Sequence, residues 1–311
     1  MKTDLSIIIP AYNEEGSIRK LIDLIKNEVN KNDFGKVELL VIDDGSTDKT
    51  FKIADECLKK INITTTLISF KTNQGKSAAL NLGFELANGS SVITLDADLQ
   101  DDPREIKNFL NKLHNGFDLV SGWKFKRNDP LSKTLPSKIF NFITSKVTGI
   151  KLHDFNCGFK AYKHDLVKDL KIYGEMHRFI PCLAHSLGYK VSEIKINHKA
   201  RKFGTSKFGV ERYFRGFFDL LTVLFLNNYK YRPLHLFGSI GILFILFGFV
   251  IEMYLIYKWI LGFQIGNRPL FFLGILMLII GLQSFFFGLI GEMLVNKTKI
   301  KQKYLIKKNK I

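Results

Sequence analysis

Two long stretches without a single Asp, Glu, Lys or Arg lie near the C-terminal end of the sequence, and no other feature restricts the fold as strongly. From Leu234 to Ile251 the run LHLFGSIGILFILFGFVI holds no Asp, Glu, Lys or Arg, and Pro269 to Gly291 is at least as long and as apolar. A helical crossing of a bilayer core needs roughly 20 such residues. The sequence therefore predicts two membrane spans, and a single compact soluble domain is not the default expectation. Tyr254, Tyr257 and Trp259 gather at the far end of the first stretch, as interfacial anchors do. Glu252 precedes them, where a short tilt brings its carboxyl to the interface. Beyond the second stretch come Lys297, Lys299, Lys301, Lys303, Lys307, Lys308 and Lys310, whereas Lys258 and Arg268 lie between the two. That bias predicts both termini on the cytosolic side. The expected layout is a domain over residues 1–230, a two-helix membrane region over 231–295 and a basic tail over 296–311.

Charge points the same way. The 311 residues carry a formal net charge of +17, from 46 Lys and Arg against 29 Asp and Glu. Such an excess suits polyanionic partners. Because it flanks the spans, an anionic lipid surface is the partner expected, and no nucleic-acid-binding motif competes. Cys57, Cys157 and Cys182 are odd in number, far apart and without CxxC spacing, so they read as reduced thiols in a cytosolic domain. The apolar run in MKTDLSIIIP is too short and too soon interrupted for a signal peptide.

Residues 1–122 alternate between two periods. LSIII (5–9), VELLVI (37–42), TTLISF (65–70) and SVITL (91–95) read as buried strands, and segments near 14–30, 47–60 and 76–88 have helical spacing. Asn13 ahead of Glu14 and Glu15 puts negative charge at the first helix start. This alternation predicts a parallel α/β sheet with its ligand crevice at the carboxyl ends of the strands. Three chemically loaded segments follow three of those strands: PAYNEE, DDGSTD and DADLQDD. Asp96, Asp98 and Gln100 alternate at a strand end, which predicts side chains on one side, and hard oxygen ligands of this kind suit Mg²⁺ or Mn²⁺. Asp43 and Asp44, with Gly45 and Ser46 in the turn, serve equally as a capped turn or as nucleotide contacts.

Together IIIPAYNEE, VIDDGSTD, NQGKSAALNLGF and LDADLQDDP resemble family 2 glycosyltransferases of the GT-A fold. The resemblance continues through GFDLVSGWKFKRND, DFNCGFKAY, MHRFIP and HKARKFGTSKFG to the two spans, the pattern of the polyprenyl-phosphate branch that includes dolichyl-phosphate mannose synthases and undecaprenyl-phosphate sugar transferases. It implies an α/β GT-A catalytic domain that moves a hexose, with inversion, from a UDP or GDP donor to a polyprenyl phosphate. It also implies that Pro10, Tyr12, Glu14, Asp43 and Asp44 hold the nucleotide, with Lys76 and Asp96 near the donor. Asp96, Asp98 and Gln100 would hold the cation. Lys76 is not a P-loop lysine, because the GxxxxGK[ST] frame fails at Phe70.

On the acceptor side, residues 124–146 interleave Lys124, Lys126, Arg127, Lys133, Lys138 and Lys146 with Leu131, Leu135, Ile139, Phe140 and Phe142. With Pro136 near its start, this reads as a basic amphipathic helix near 131–148 in the headgroup layer, and residues 207–226 are built alike. Arg201, Ser206 and Lys207 in HKARKFGTSK suit a phosphate, and Arg127 is a candidate to share that work. A phosphate monoester has a second pKa near 6, so its oxygen is mostly ionised before any catalyst acts. Asp98 and Asp154 are the catalytic candidates. Asp154 matches the carboxylate the family uses as a base, yet an orienting role serves an ionised nucleophile as well. The resemblance leaves a homo-oligomer open. Two rivals remain, a non-catalytic membrane scaffold and a family 2 transferase with another lipid or glycan acceptor. A processive polysaccharide synthase is disfavoured, since neither Trp123 nor Trp259 stands in a QxxRW segment.

Overall fold

The computed structural model describes residues 3–126, 141–146, 148–197, 218–225, 229, 232–266 and 268–299. They divide into two units, Met1–Val223 and Leu224–Ile311.

In the first unit the four apolar runs form β1 (Leu5–Ala11), β2 (Val37–Asp43), β3 (Thr64–Ser69) and β4 (Ser91–Thr94). The helices between and after them are α1 (Ile18–Lys31), α2 (Thr50–Leu58), α3 (Lys76–Leu86) and α4 (Ile106–His114). Strand β1 pairs in parallel with β2 and β4, and β2 with β3. All seven residues of β2 are buried, as in a sheet covered on both faces. Helix α1 buries Ile18, Leu21, Ile22 and Ile25, and α4 buries Ile106, Phe109, Leu110 and Leu113. Both follow the i, i+3, i+4, i+7 spacing of a helix with one core-facing stripe. Phe109 stacks on Phe159 at 4.1 Å between ring centroids, which fastens α4 to the sheet.

Three further strands widen the sheet: β5 (Leu119–Lys126), β6 (Lys160–Lys163) and β7 (Val191–Asn197), joined by α5 (His164–Asp169) and α6 (Ile180–Ser186). The strand order is β3-β2-β1-β4-β6-β5-β7. Strand β6 runs antiparallel to β4 and β5, while β5 and β7 are parallel. The α/β expectation holds, but the sheet is mixed rather than wholly parallel. Residues 124–126, the first part of the basic stretch, close strand β5. Gly122 explains why that strand is hard to read. A Cβ there would stand 2.8 Å from both Cys157 Sγ and Ile196 Cδ1, so the strand gives up a side chain to let its neighbours approach. Of the two predicted interfacial helices, residues 141–146 and 218–225 are helical, and the remaining parts, 131–140 and 207–217 with residues 147 and 226, lie outside the described residues.

The second unit is a pair of long helices, α7 (Pro233–Ile260) and α8 (Pro269–Lys299), each long and apolar enough to cross a bilayer. They pack antiparallel through glycines: a Cβ on Gly241 would lie 2.7 Å from the Gly281 carbonyl oxygen, and one on Gly281 equally close to that of Gly241. Their other faces expose Leu243, Leu246, Phe247, Val250, Phe286 and Phe287. An apolar surface of that extent needs an apolar surrounding.

Candidate functional site

The parallel register brings Ala11 of β1, Asp43 of β2 and Ser69 of β3 side by side at the carboxyl end of the sheet. The loops that follow are sewn to one another. Asn13, at φ 51°, donates its backbone N–H to Ser46 Oγ (2.9 Å) and accepts from Thr47 N–H at Oδ1 (2.8 Å). Glu14 N–H donates to Thr50 Oγ1 (2.7 Å), and Glu15 accepts from Lys49 N–H (3.0 Å). The residues expected to start the first helix thus bind the second loop, and α1 begins at Ile18 with no acidic side chain in its first turn. Pro10 stays in β1, and Tyr12 and Glu14 follow it at half-buried positions; the Glu14 carboxylate accepts from Ser17 Oγ (2.7 Å).

Asp43 and Asp44 are both buried, with different duties. Asp43 accepts from Ser69 Oγ (2.5 Å) and from Ser46 N–H (3.3 Å). Asp44 turns to the third loop, where it accepts from Gln74 N–H (2.7 Å), Gly75 N–H (3.0 Å) and Asn73 Nδ2 (3.0 Å). Burial raises its pKa, an effect that those backbone N–H groups partly offset and the neighbouring Asp43 charge reinforces.

The DADLQ segment is a turn, not a continuation of β4. The strand stops at Thr94, residues 97–99 bend, and Leu99 takes φ 60°. The predicted alternation of Asp96, Asp98 and Gln100 along an extended strand is therefore replaced by a turn, in which Gln100 N–H donates to Asp98 Oδ1 (3.2 Å). Lys76, at the first turn of α3, binds Asp96 Oδ1 at 2.5 Å. Burial would raise the Asp96 pKa, but the charges of Lys76, Lys124 and Lys160 prevail and lower it to about 2. Gly158 leaves room for this carboxylate, since a Cβ there would collide with it. Among the described residues no three His, Cys, Asp or Glu side chains gather as a cation cage. Asp96 and Asp98 nevertheless offer hard oxygens on one turn. That donor set fits an Mg²⁺ or Mn²⁺ ion of the kind that takes one or two carboxylates and completes its shell with water and phosphate oxygens.

Beside this turn lies a small cavity of about 10 Å³, lined among others by Lys76, Asn156, Lys160, Tyr162 and His177. Neither His177 nor Lys160 is among the site residues expected from the sequence. Lys160 is 3% exposed, its Nζ donates to the Cys157 carbonyl, and burial draws its pKa down to about 8. The one legible signal was a lysine directly after the apolar-flanked GF of DFNCGFKAY, at the start of the strand KAYK. Ser77 Oγ accepts from the His177 backbone N–H (3.2 Å) and lies 3.1 Å from His177 Nδ1, so one hydroxyl holds both the backbone and the ring of His177. Burial, with Lys76, Arg178 and Lys160 nearby, holds the ring well below its usual pKa and hence neutral.

Asp154 is 1% exposed and accepts from Asn156 N–H (3.0 Å). Lys124 sits in the joint field of Asp101, Asp154 and Asp96, which overrides its burial and raises its pKa. The DAD turn and the DFN segment, far apart in sequence, therefore share one lysine. Arg127, Arg201, Ser206 and Lys207 lie outside the described residues.

Comparison with known proteins adds to this geometry. The family model described as glycosyl transferase family 2 matches residues 6–171. The dodecaprenyl-phosphate galacturonate synthase of Rhizobium johnstonii is 36% identical over 94% of this chain and 87% of its own. The undecaprenyl-phosphate 4-deoxy-4-formamido-L-arabinose transferase of Shewanella sediminis is 36% identical over 93% of this chain and 86% of its own. In fold, the chain is similar to glucosyl-3-phosphoglycerate synthase from Mycobacterium tuberculosis, crystallised with Mn²⁺, UDP and phosphoglyceric acid. That match has a TM-score of 0.57 and 20% identity, and covers 73% of this chain and 78% of that one.

Proposed function

The chain belongs to glycosyl transferase family 2 and is a glycosyltransferase, and from that premise we propose that it moves a sugar from a nucleotide donor onto a polyprenyl phosphate at the cytosolic membrane face. The observation that carries the donor half is the lacing of the loops after β1 and β2 at the sheet end that also holds the Lys76–Asp96 pair. The acceptor half is supported by two relatives named for dodecaprenyl and undecaprenyl phosphate, whose likeness covers more than nine-tenths of this chain. The apolar helix pair agrees with a lipid acceptor, and the lysine excess after α8 favours cytosolic termini.

In this reading residues 1–230 form the catalytic domain, 231–295 the anchor and 296–311 a basic tail. Pro10, Tyr12, Glu14 and Asp43 form the nucleotide side. Asp44 contributes by holding the 73–75 loop, and Lys76 draws Asp96 toward the sugar diphosphate. Asp96, Asp98 and Gln100 would hold Mg²⁺ or Mn²⁺, which when bound supplies positive charge to the leaving diphosphate. Arg127, Arg201, Ser206 and Lys207 would receive the lipid phosphate. That phosphate is mostly a dianion at neutral pH, so reaction needs two anions brought together rather than a proton removed. Asp154, fixed by Asn156 and beside Lys124, orients the acceptor oxygen for in-line attack with inversion at the anomeric carbon.

The test is transfer of label from UDP- and GDP-sugars into organic-extractable lipid, with and without polyprenyl phosphate, Mg²⁺ and EDTA. Transfer is expected to require lipid phosphate and cation, and Asp98→Ala to reduce it at least about 100-fold. An Asp98→Ala protein with undiminished transfer would sink the site assignment.

A further inference from the structure

Across the two charge-free stretches, Leu234 to Ile251 and Pro269 to Gly291, one amide side chain occurs, that of Gln283. It lies midway along the candidate span Pro269–Lys297 of α8. With a rise of about 1.5 Å per residue, about 20 Å of helix separates it from either end, which places it near the midplane of a hydrocarbon core about 30 Å thick. Helix α8 meets α7 along Gly274, Gly281 and Gly288, where an added Cβ would strike Glu252, Gly241 and Leu234. At about 100° per residue, Gln283 falls about 160° from Gly281, on the face turned away from α7. Gln283 is exposed there and forms no hydrogen bond with any described residue. Leu276, Ile279, Ile280, Phe286, Phe287 and Ile290 are exposed with it. They stand three, four and seven positions away on both sides, the spacing of a single helix stripe.

A stripe of Leu, Ile and Phe asks nothing of hydrocarbon beyond contact, but an amide does. At that depth its N–H and carbonyl groups have no water to bond, and lipid tails carry neither donor nor acceptor. Ser239, an exposed hydroxyl of α7, meets the same demand within its own helix by donating to the His235 carbonyl. Gln283 has no such bond among the described residues, so its face calls for a polar group at the same depth from another chain. The amide is donor and acceptor at once. A second copy, related by a two-fold axis along the membrane normal, presents an identical amide at identical depth, and the two exchange a pair of N–H···O bonds. The apolar residues of the stripe then meet their own counterparts above and below the amides, as in a parallel pair of identical helices. A different membrane protein would have to carry its own polar side chain to the midplane, whereas a second copy supplies one by symmetry.

We propose that this face of α8 is an interface with a second copy of the chain inside the bilayer, in which Gln283 hydrogen-bonds Gln283 of the partner subunit. Nothing in this contact depends on which sugar is transferred or on whether transfer occurs.

The experiment measures self-association of the full-length protein in vesicles of phosphatidylethanolamine and phosphatidylglycerol, by energy transfer between donor- and acceptor-labelled copies as added lipid dilutes the protein. Wild type, Gln283→Asn and Gln283→Leu are compared, with thermal melts to establish that the variants are folded. Wild type should associate, and Gln283→Leu should raise the dissociation constant by roughly 3- to 30-fold. Gln283→Asn, whose shorter amide keeps both donor and acceptor, should recover most of that loss. Disulfide formation in the same vesicles locates the contact. On mild oxidation Gln283→Cys should give a linked dimer, whereas Leu282→Cys, at nearly the same depth but about 100° around the helix, should not. The native Cys57, Cys157 and Cys182 are buried and do not compete. A wild type that stays monomeric at every dilution overturns the proposal. So does unchanged association in Gln283→Leu, which would put the contact elsewhere in the chain or with a different protein. Crosslinking at 283 no greater than at 282 overturns it as well. Should Gln283→Leu fail to fold, the two cysteine variants decide the matter by themselves.

Discussion

Lys160 and Asp44 are the two residues whose environments make the sharpest demands. Lys160 has a folded pKa of about 8 against 10.5 for an ordinary lysine, because burial disfavours its charge. A depressed lysine pKa means that between pH 8 and 10.5 the unfolded chain binds more protons than the folded one, so this residue's contribution to stability rises with pH across that window. The melting temperature of the wild type relative to Lys160→Met is therefore expected to climb from pH 8 to pH 10, by differential scanning fluorimetry of the ligand-free protein; a flat difference would contradict the buried, charge-strained placement. Asp44 is the hub of the 73–75 loop, and Asp44→Ala removes an acceptor from Gln74 N–H, Gly75 N–H and Asn73. Hydrogen bonds to a charged acceptor contribute about 1.5–3 kcal/mol each, less when solvent can replace the acceptor. The substitution should lower stability by about 2–4 kcal/mol in urea titrations and weaken nucleotide binding, since Lys76 starts from that loop.

Elements divide sharply into those the sequence displayed and those it hid. Strands β1 to β4 were readable because each is a short, β-branched run bounded by turn residues, and α1 and α4 bury apolar positions at helical spacing. Strands β5 to β7 were not, because Gly122 interrupts one and charged residues alternate through the others, as in KAYK and VSEIKIN. Within the site, the acidic loops announced themselves by composition. Lys160 and His177 did not, since their roles depend on burial and on partners such as Ser77, 100 residues from His177. The turn at Leu99 was misread for a similar reason, as no glycine marks its positive φ. Helices α7 and α8 were the plainest elements of all, and their contact is testable. Gly241→Leu inserts a side chain where a Cβ already meets the Gly281 carbonyl at 2.7 Å. It should destabilise the pair by about 1–3 kcal/mol or more, seen as a lower melting temperature in detergent, whereas Phe247→Leu on the exposed face should have little effect.

At the scale of the whole molecule, a catalytic sheet domain, an apolar helix pair and a net charge of +17 meet in one chain. Each has a separate physical justification: strand-end loops for a nucleotide sugar, spans for a lipid acceptor, lysines for an anionic surface. Their combination is economical only if sugar and lipid phosphate meet at the membrane. The central claim is therefore the bond that is made, and the direct measurement is mass spectrometry of the lipid extract after incubating the purified protein with polyprenyl phosphate, Mg²⁺ and the nucleotide sugars. The account predicts a species equal in mass to polyprenyl phosphate plus one sugar residue, with nucleoside diphosphate released in equal amount. Sugar recovered only in water-soluble or protein-bound form, or attached to a lipid lacking the phosphate, would contradict it.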